Sequence, residues 1–258
     1  MVFTTGRPSY LVIALLCYAG ALLLWWRWPA RRSSRLGPAW WLYCAGLLIH
    51  ALALLGRGWL GGVWNANPVF EGTFFIPWCL ALLAGLERLA RGSSHWGLGL
   101  VPALALLAFS IAYAQGILPP EPRKITALAT AFFISEGLAY AAFFAGAWWA
   151  ALALLRPRSG QPAGFHAYLV WGLVAFSIAQ VVGFVWCYLG WGNTFRFSPR
   201  HLFSAGVWLL YAAYLHLRYL PRWPLQRRAG FAVAAGLVGL AASASGAVQE
   251  LFFPRIGG

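Results

Sequence analysis

The sequence is poor in charged residues, and above all in acids. It contains no Asp, which excludes mechanisms that need an aspartate nucleophile or an aspartate pair for Mg²⁺. Charged residues make up 9% of the chain, against about 25% in a soluble domain. Disordered chains combine many charges with few aromatics, whereas Trp, Tyr and Phe supply 17% of these residues. The five acids are all Glu: Glu71, Glu87, Glu121, Glu136 and Glu250.

The motifs of common soluble enzymes and of disulfide frameworks are also missing. The chain has no Walker loop, no G-x-S-x-G, no H-E-x-x-H and no dinucleotide fingerprint. Its four cysteines form no C-x-x-C pair and all lie within apolar runs, which favours a role as small hydrophobic side chains. A disulfide between Cys79 and Cys187 is the open alternative, because both can lie toward the outer face.

Hydrophobic residues make up 61% of the chain, more than a water-soluble fold can bury. Eight apolar runs approach or exceed the length of about 20 residues that crosses a bilayer. Because lipid offers no partner for free backbone groups, these runs are predicted to be helices. We expect an all-α integral membrane protein, with a bundle of about eight transmembrane helices in a single domain, 1–258. The predicted helices are 9–26, 39–56, 73–90, 96–115, 125–155, 165–190, 199–220 and 228–247.

The distribution of Lys and Arg predicts the orientation of these helices. Loops on one side carry more of the 19 basic residues than loops on the other, and the richer side is expected to be cytoplasmic. Both termini then face outward, which agrees with an even number of crossings, since that number places the termini on the same side. The net charge of +14 is explained by these loops and their contact with anionic lipid, so no nucleic acid partner is expected. The richer side holds Arg27, Arg31, Arg32, Arg35, Arg88, Arg91, Arg156, Arg158, Arg218, Arg222, Arg227 and Arg228.

The start of the chain and the fifth run each carry one further signal. The first run is followed, not preceded, by its cluster of arginines, so we expect a retained helix and not a cleavable signal peptide. The fifth run carries Ala142, Gly146 and Ala150 at four-residue spacing. Small residues at that spacing are typical of close helix packing in membranes.

Three ionisable side chains are predicted at membrane depth, where such groups are costly and often functional. His50 and His216 are candidate axial ligands of a haem iron, if they face one cavity. Counting 1.5 Å per residue places them roughly 10 Å apart in depth. The alternative for each is a neutral histidine, bonded to a neighbouring helix or lying at the interface. Glu136 would meet a cation or a proton path, or would join two helices through a hydrogen bond.

An aromatic and basic loop, 191–198, is predicted on the outer side before the seventh helix. Aromatic faces and arginines suit a flat ligand with carboxylates, such as haem, whose macrocycle they cover and whose propionates they pair. The alternative is an ordinary interface loop, in which aromatics are common. The candidate surface comprises Trp191, Phe195, Phe197, Arg196, Arg200 and His201.

This loop and the following helix resemble the cytochrome c assembly family, the haem-handling membrane proteins of CcsA/ResC type. The family has a tryptophan-rich W-G-x-x-W-x-W-D-P loop, and residues 191–199 read WGNTFRFSP. A helix ending in tyrosine-leucine-histidine follows, matched by Tyr214-Leu215-His216, and then a basic turn. Residues 137–142 resemble the family's L-x-Y-A-A helix. An earlier stretch, with His50, Arg57, Glu71 and Trp78, resembles the family's H…R…P-x-x-x-Y-E…W pattern.

The chain also departs from the family pattern at several positions. Two loop tryptophans are replaced by Phe195 and Phe197, and the loop aspartate by Ser198. Phe132 stands where the family usually has an outer haem histidine. No counterpart of the second outer histidine is found in 251–258.

The resemblance implies a haem-binding protein of cytochrome c assembly that presents haem at the outer face. It is expected to be a haem transporter or chaperone, or part of a synthase system, more than a stand-alone enzyme. Implied partners are membrane lipids, other assembly proteins and apocytochrome c, in a bacterial-type inner membrane. Cofactor contacts are expected from His50, His216, Glu71, Glu136 and the loop surface. The alternative is a diverged, non-haem scaffold or partner subunit, as the lost histidines suggest. A transporter that uses Glu136 ranks last.

Overall fold

The computed structural model describes residues 9–28, 37–61, 72–91, 95–112, 125–155, 164–195, 199–220 and 222–252. Within these ranges the regular structure is entirely helical, and it comprises eight helices. They are α1 (Ser9–Arg27), α2 (Pro38–Gly61), α3 (Gly72–Arg91), α4 (Trp96–Ala112), α5 (Ala127–Leu155), α6 (Phe165–Trp191), α7 (Pro199–Arg218) and α8 (Leu225–Phe252).

The prediction of an all-helical protein with eight helices is confirmed. The main differences lie at helix ends: α2 continues to Gly61, whereas its apolar run ends at 56, and α8 extends beyond its run at both ends. Helices end where backbone hydrogen bonding ends, not where hydropathy falls, so Arg57 in α2 and Glu250 in α8 are still helical.

Four of the eight helices meet the length and hydropathy expected of a membrane span in the described part of the chain. They are α1, the segment Pro38–Gly56 of α2, α5 and α6. Helix α4 is equally apolar but shorter, with 17 residues. The chain is therefore a multi-pass helical membrane protein. The outward position of both termini and the single-domain organisation stay predictions.

The first compact unit contains α1 to α4, in which each helix packs against the next and α1 also packs against α4. The buried face of α1 repeats at intervals of three and four residues, which places one apolar stripe against its neighbours. That stripe comprises Leu11, Ala14, Tyr18, Ala21 and Trp25.

The second compact unit contains α5 to α8 and has the same order of neighbours, with α5 packing against α6 and α8. The small residues Ala142, Gly146 and Ala150 are all buried on α5. A methyl group added at Gly146 would stand 2.5 Å from a methyl carbon of Leu169 and 3.3 Å from the carbonyl oxygen of Phe165. Gly146 therefore allows α5 and α6 to approach closely, as its spacing predicts.

Candidate functional site

His50 is completely buried in the first unit and is held by two neighbouring helices. Its Nε2 lies 3.1 Å from the carbonyl oxygen of Phe74 on α3, and its Nδ1 lies 3.4 Å from the hydroxyl of Tyr18 on α1. A carbonyl oxygen only accepts hydrogen bonds, so Nε2 carries the hydrogen and Nδ1 accepts from Tyr18. In this arrangement His50 is a neutral ring whose two nitrogens both have protein partners.

The Phe74 carbonyl lies in a helical turn that is disturbed by Pro77, although the N–H that proline lacks would pair with the carbonyl of Thr73. Pro77 lies inside α3, three residues after Phe74. Proline has no N–H and its ring disturbs the preceding helical turn. Carbonyls in such a turn accept side-chain hydrogen bonds where lipid supplies none. The spacing of apolar residues predicts the helix, but only the proline could have signalled this acceptor.

Further bonds link α2 to α3 close to His50. The Tyr43 hydroxyl donates to the Ala81 carbonyl at 2.9 Å, and the Trp78 indole donates to the Leu47 carbonyl at 3.2 Å. With His50, these side chains make a set of buried hydrogen bonds between two apolar helices. Such bonds contribute about 1 kcal/mol each when formed and cost more when one partner is lost.

Arg88 is a buried cation in the same unit, and sequence reasoning assigned it only to a cytoplasmic loop. It is 5% exposed, and its guanidinium carbon lies 4.4 Å from the ring centre of Trp40 and 4.9 Å from that of Trp96. Stacking on indole faces attracts a cation electrostatically. Arg88 therefore anchors the ends of three helices as well as adding positive charge.

His216 has a different environment in the second unit. Its ring is exposed on α7, and its Nδ1 donates to the carbonyl of Ala212, one turn earlier, at 2.8 Å. That bond sets the tautomer, because a neutral imidazole then keeps its lone pair on Nε2. No described residue bonds to Nε2, so this nitrogen has the electronic form that a metal ligand requires.

The end of α6 carries an aromatic cluster. Trp186 lies 5.8 Å from Phe132, 5.7 Å from Phe133 and 5.6 Å from Trp191, measured between ring centres. Phe132, at the position of the family's outer histidine, is thus packed in an apolar environment. Gly192 then ends the helix with φ 76°, a left-handed conformation that glycine adopts without steric cost.

Phe195 and His201 are brought together after this turn. Their ring centres are 5.4 Å apart at 64°, and 37% of Phe195 is exposed. His201, at the start of α7, also reaches back to α6, where its Nε2 lies 3.6 Å from the sulfur of Cys187. No motif in the sequence predicts the contact between Cys187 and His201, because the loop 191–198 lies between the two residues.

The structure describes the other candidate residues only in part. Glu136 is 6% exposed on α5, as its position in the fifth run predicts. Arg200 lies in the first turn of α7, but its side chain is outside the described part. Glu71, Arg196 and Phe197 fall outside the described residues. The functional roles predicted for all ten residues stay predictions.

His50 belongs to the first unit and His216 to the second, each with the surroundings described above. With four candidate spanning segments among the described residues, the chain is a polytopic helical membrane protein in which His50 is buried and His216 is exposed. No family model matches the chain.

Comparison with curated proteins finds similar sequences. The chain is 25% identical to the "Cytochrome c biogenesis protein CcsA" of Synechococcus sp. (strain CC9605), over 83% of this chain and 84% of that protein. It is 23% identical to the CcsA of Prochlorococcus marinus (strain MIT 9312), over 74% of this chain and 75% of the relative. A shorter match, 34% identical over 26% of this chain, is to the CcsA of Synechococcus sp. (strain CC9311). The chain is thus similar to CcsA proteins over about three quarters or more of its length, at low identity.

Proposed function

We propose that the chain acts in cytochrome c biogenesis as a membrane protein that handles haem, with His216 as an iron ligand. The similarity to CcsA proteins extends over most of the chain, which supports the biological role. The observation that carries the assignment to haem is the imidazole of His216, whose Nδ1 hydrogen is bound to Ala212 while Nε2 remains a lone-pair donor.

In the second unit, the residues around His216 are suited to binding haem. Metal-binding histidines commonly donate their other ring nitrogen to a carbonyl or carboxylate, which orients the ring. His216 already makes that bond, and its ring is accessible at the surface of α7. Haem supplies an iron that takes an imidazole nitrogen as an axial ligand. His50 does not fit in the same way, because both of its nitrogens have protein partners.

The outer surface adds the aromatic component of the proposal. Phe195 offers an exposed ring, and Trp191 extends the cluster that begins at Trp186. Once haem has moved from His216 to this surface, about 24 Å away along α7 at 1.5 Å per residue, Arg196 and Arg200 are proposed to pair its propionates, and Phe197 to extend the aromatic surface. Haem would be presented here to apocytochrome c, outside a bacterial inner membrane in which other assembly proteins take part.

The test is the haem content of the purified protein after expression with added haem. We expect a Soret band in the unmodified chain, and a loss of about tenfold or more in haem affinity in His216→Ala, since an iron ligand is removed. His95→Ala is the matched control, because His95 is also exposed but lies in the first unit. Absence of a Soret band in the unmodified chain, or equal affinity in both variants, contradicts the proposal.

A second candidate is a non-haem scaffold or partner subunit of the assembly machinery. It is favoured by the packing of Phe132 against Trp186, because that position then offers no iron ligand. Under this alternative the chain supports cytochrome c maturation without binding haem, and His216→Ala leaves maturation intact.

A further inference from the structure

We propose that Cys187 and His201 form a reactive thiol–imidazole pair that undergoes thiol–disulfide exchange with disulfide-bearing reactants. The proposal concerns proton and sulfur transfer at Cys187, a chemistry distinct from the haem contact predicted for His201 in the loop surface. The pair joins the last turns of α6 to the first turn of α7.

The geometry places a base beside the thiol. The sulfur of Cys187 and Nε2 of His201 are 3.6 Å apart, a hydrogen-bond distance for a sulfur donor. The thiolate is the reactive form of cysteine, and an adjacent histidine activates it by accepting the proton. The two residues are presented by different helices that pack against each other, so the distance is set by the fold of the second unit.

Cys187 is buried, and the proposed route from the pair to the surface is the exposed stretch that follows α6. The four residues that follow α6, 192–195, are all exposed, and the ring of Phe195 packs edge-on against His201. Cys187 keeps 8% exposure one turn before the helix ends, and His201 is half-buried. The reactant therefore approaches along the side from which this exposed stretch emerges.

Few other ionisable groups are near the pair on the helices that pack against α6. Tyr188 is next in the chain but is 59% exposed, and Glu136 on α5 lies one turn beyond Phe132. Arg200 precedes His201 on α7. The contact of His201 with the thiol supplies the base on which the proposal depends.

The other three cysteines serve as internal controls. Cys79 has no exposed surface, and Cys17 and Cys44 are half-buried within α1 and α2. None of the three contacts a histidine in the described part of the chain. Cys17 and Cys44 are more exposed than Cys187, so a slower reaction at these two thiols is expected only if the imidazole, and not exposure, sets the rate.

The exchange step is balanced in atoms and electrons. Nε2 of His201 takes the thiol proton, and the Cys187 thiolate attacks one sulfur of the disulfide. A new S–S bond joins Cys187 to the reactant, and the second sulfur leaves as a thiolate that takes the proton from His201. One disulfide is replaced by another, so no external oxidant is required.

The test follows glutathionylation of the full-length protein in detergent, with oxidised glutathione as the reactant and mass spectrometry as the readout. At pH 7 we expect Cys187 to be modified first, and Cys187→Ser to lack this fast phase. His201→Gln should slow the phase about tenfold or more, since a positioned base is lost. At pH 9.5 the two rates should converge, because hydroxide deprotonates the thiol without the imidazole.

Three outcomes would overturn the proposal. They are fast modification of another cysteine, an unchanged rate in His201→Gln at pH 7, and an equal loss of rate at both pH values. The last outcome would mean that His201 only shapes access to the thiol. Because no step involves haem, these results are independent of the haem content measured for His216→Ala.

Discussion

At the scale of single residues, buried polar side chains are used here to connect helices. His50 donates to a carbonyl on α3 and accepts from a hydroxyl on α1, so it joins three helices at one point. In lipid the packing of apolar side chains gives little preference for one partner helix over another, because the lipid itself is apolar. Hydrogen bonds of this kind can then select the rotation and depth at which the helices pair.

This role predicts a difference between two substitutions of His50. His50→Ala should destabilise the protein by about 2–4 kcal/mol, because it leaves a cavity and two buried polar atoms without partners. His50→Gln should retain most of the stability, since its amide can donate to Phe74 and accept from Tyr18. The measurement is thermal unfolding in detergent, followed by circular dichroism.

The same pair of variants tests His50 as an iron ligand. Glutamine keeps the hydrogen bonds but offers no imidazole, so a well-folded His50→Gln protein should keep the haem content of the unmodified chain. A haem loss as large as in His216→Ala would show that His50 binds iron. Equal stability of His50→Ala and the unmodified chain would contradict the structural role.

The sequence predicts which residues are polar and deep, but not their partners. Placing His50 and Glu136 within apolar runs required only counting along the chain, and both are buried. The partners depend on how neighbouring helices rotate and slide, which local periodicity does not encode. The contact of Cys187 with His201 and the bond from His50 to Phe74 could therefore be found only in three dimensions.

At the scale of helices, the sequence is most informative, because lipid leaves a spanning segment little choice of structure. The apolar runs predict the existence and order of all eight helices. They predict the ends less well, since α8 continues through polar residues such as Gln249 and Glu250. Hydropathy measures the cost of transfer into lipid, whereas helix length depends on the backbone and its caps.

Close packing between α5 and α6 predicts a strong effect at Gly146. Gly146→Val should destabilise the second unit by about 1–3 kcal/mol, because the added carbons overlap with Leu169 and the Phe165 carbonyl. Gly206→Val is the matched control: it changes the same residue type in α7, where an added methyl group meets nothing within 4 Å. Thermal unfolding in detergent measures both.

Comparison of the two glycine variants separates packing from helix propensity. Replacing glycine by valine raises the intrinsic helix propensity of either helix by a similar amount, so only the overlap distinguishes the two variants. Similar unfolding temperatures for Gly146→Val and Gly206→Val would show that α5 and α6 have room to move apart.

At the scale of the whole molecule, the distribution of basic residues predicts topology. With the richer side in the cytoplasm, alkaline phosphatase fused after residue 258 should be active and a fluorescent protein fused there should be dark. A phosphatase fusion in the loop 156–164 should be inactive. The opposite pattern would reverse the predicted orientation and place the 191–198 loop on the inner side.

The sequence gives less guidance on organisation at this scale. It indicates one membrane domain, since apolar runs follow one another without a linker of different composition. The structure divides the helices into two units, each with its own closed order of neighbours. Composition cannot distinguish these arrangements, because lipid-facing and helix-facing residues are both apolar.

The packing of α1 against α4, which completes the first unit, has a consequence for biosynthesis. Every helix that packs in the first unit is synthesised before the ribosome begins α5. Domains of a long chain commonly fold in the order of their translation. Half of the protein can therefore leave the translocon with its buried hydrogen bonds formed, before the helix that carries His216 has been synthesised.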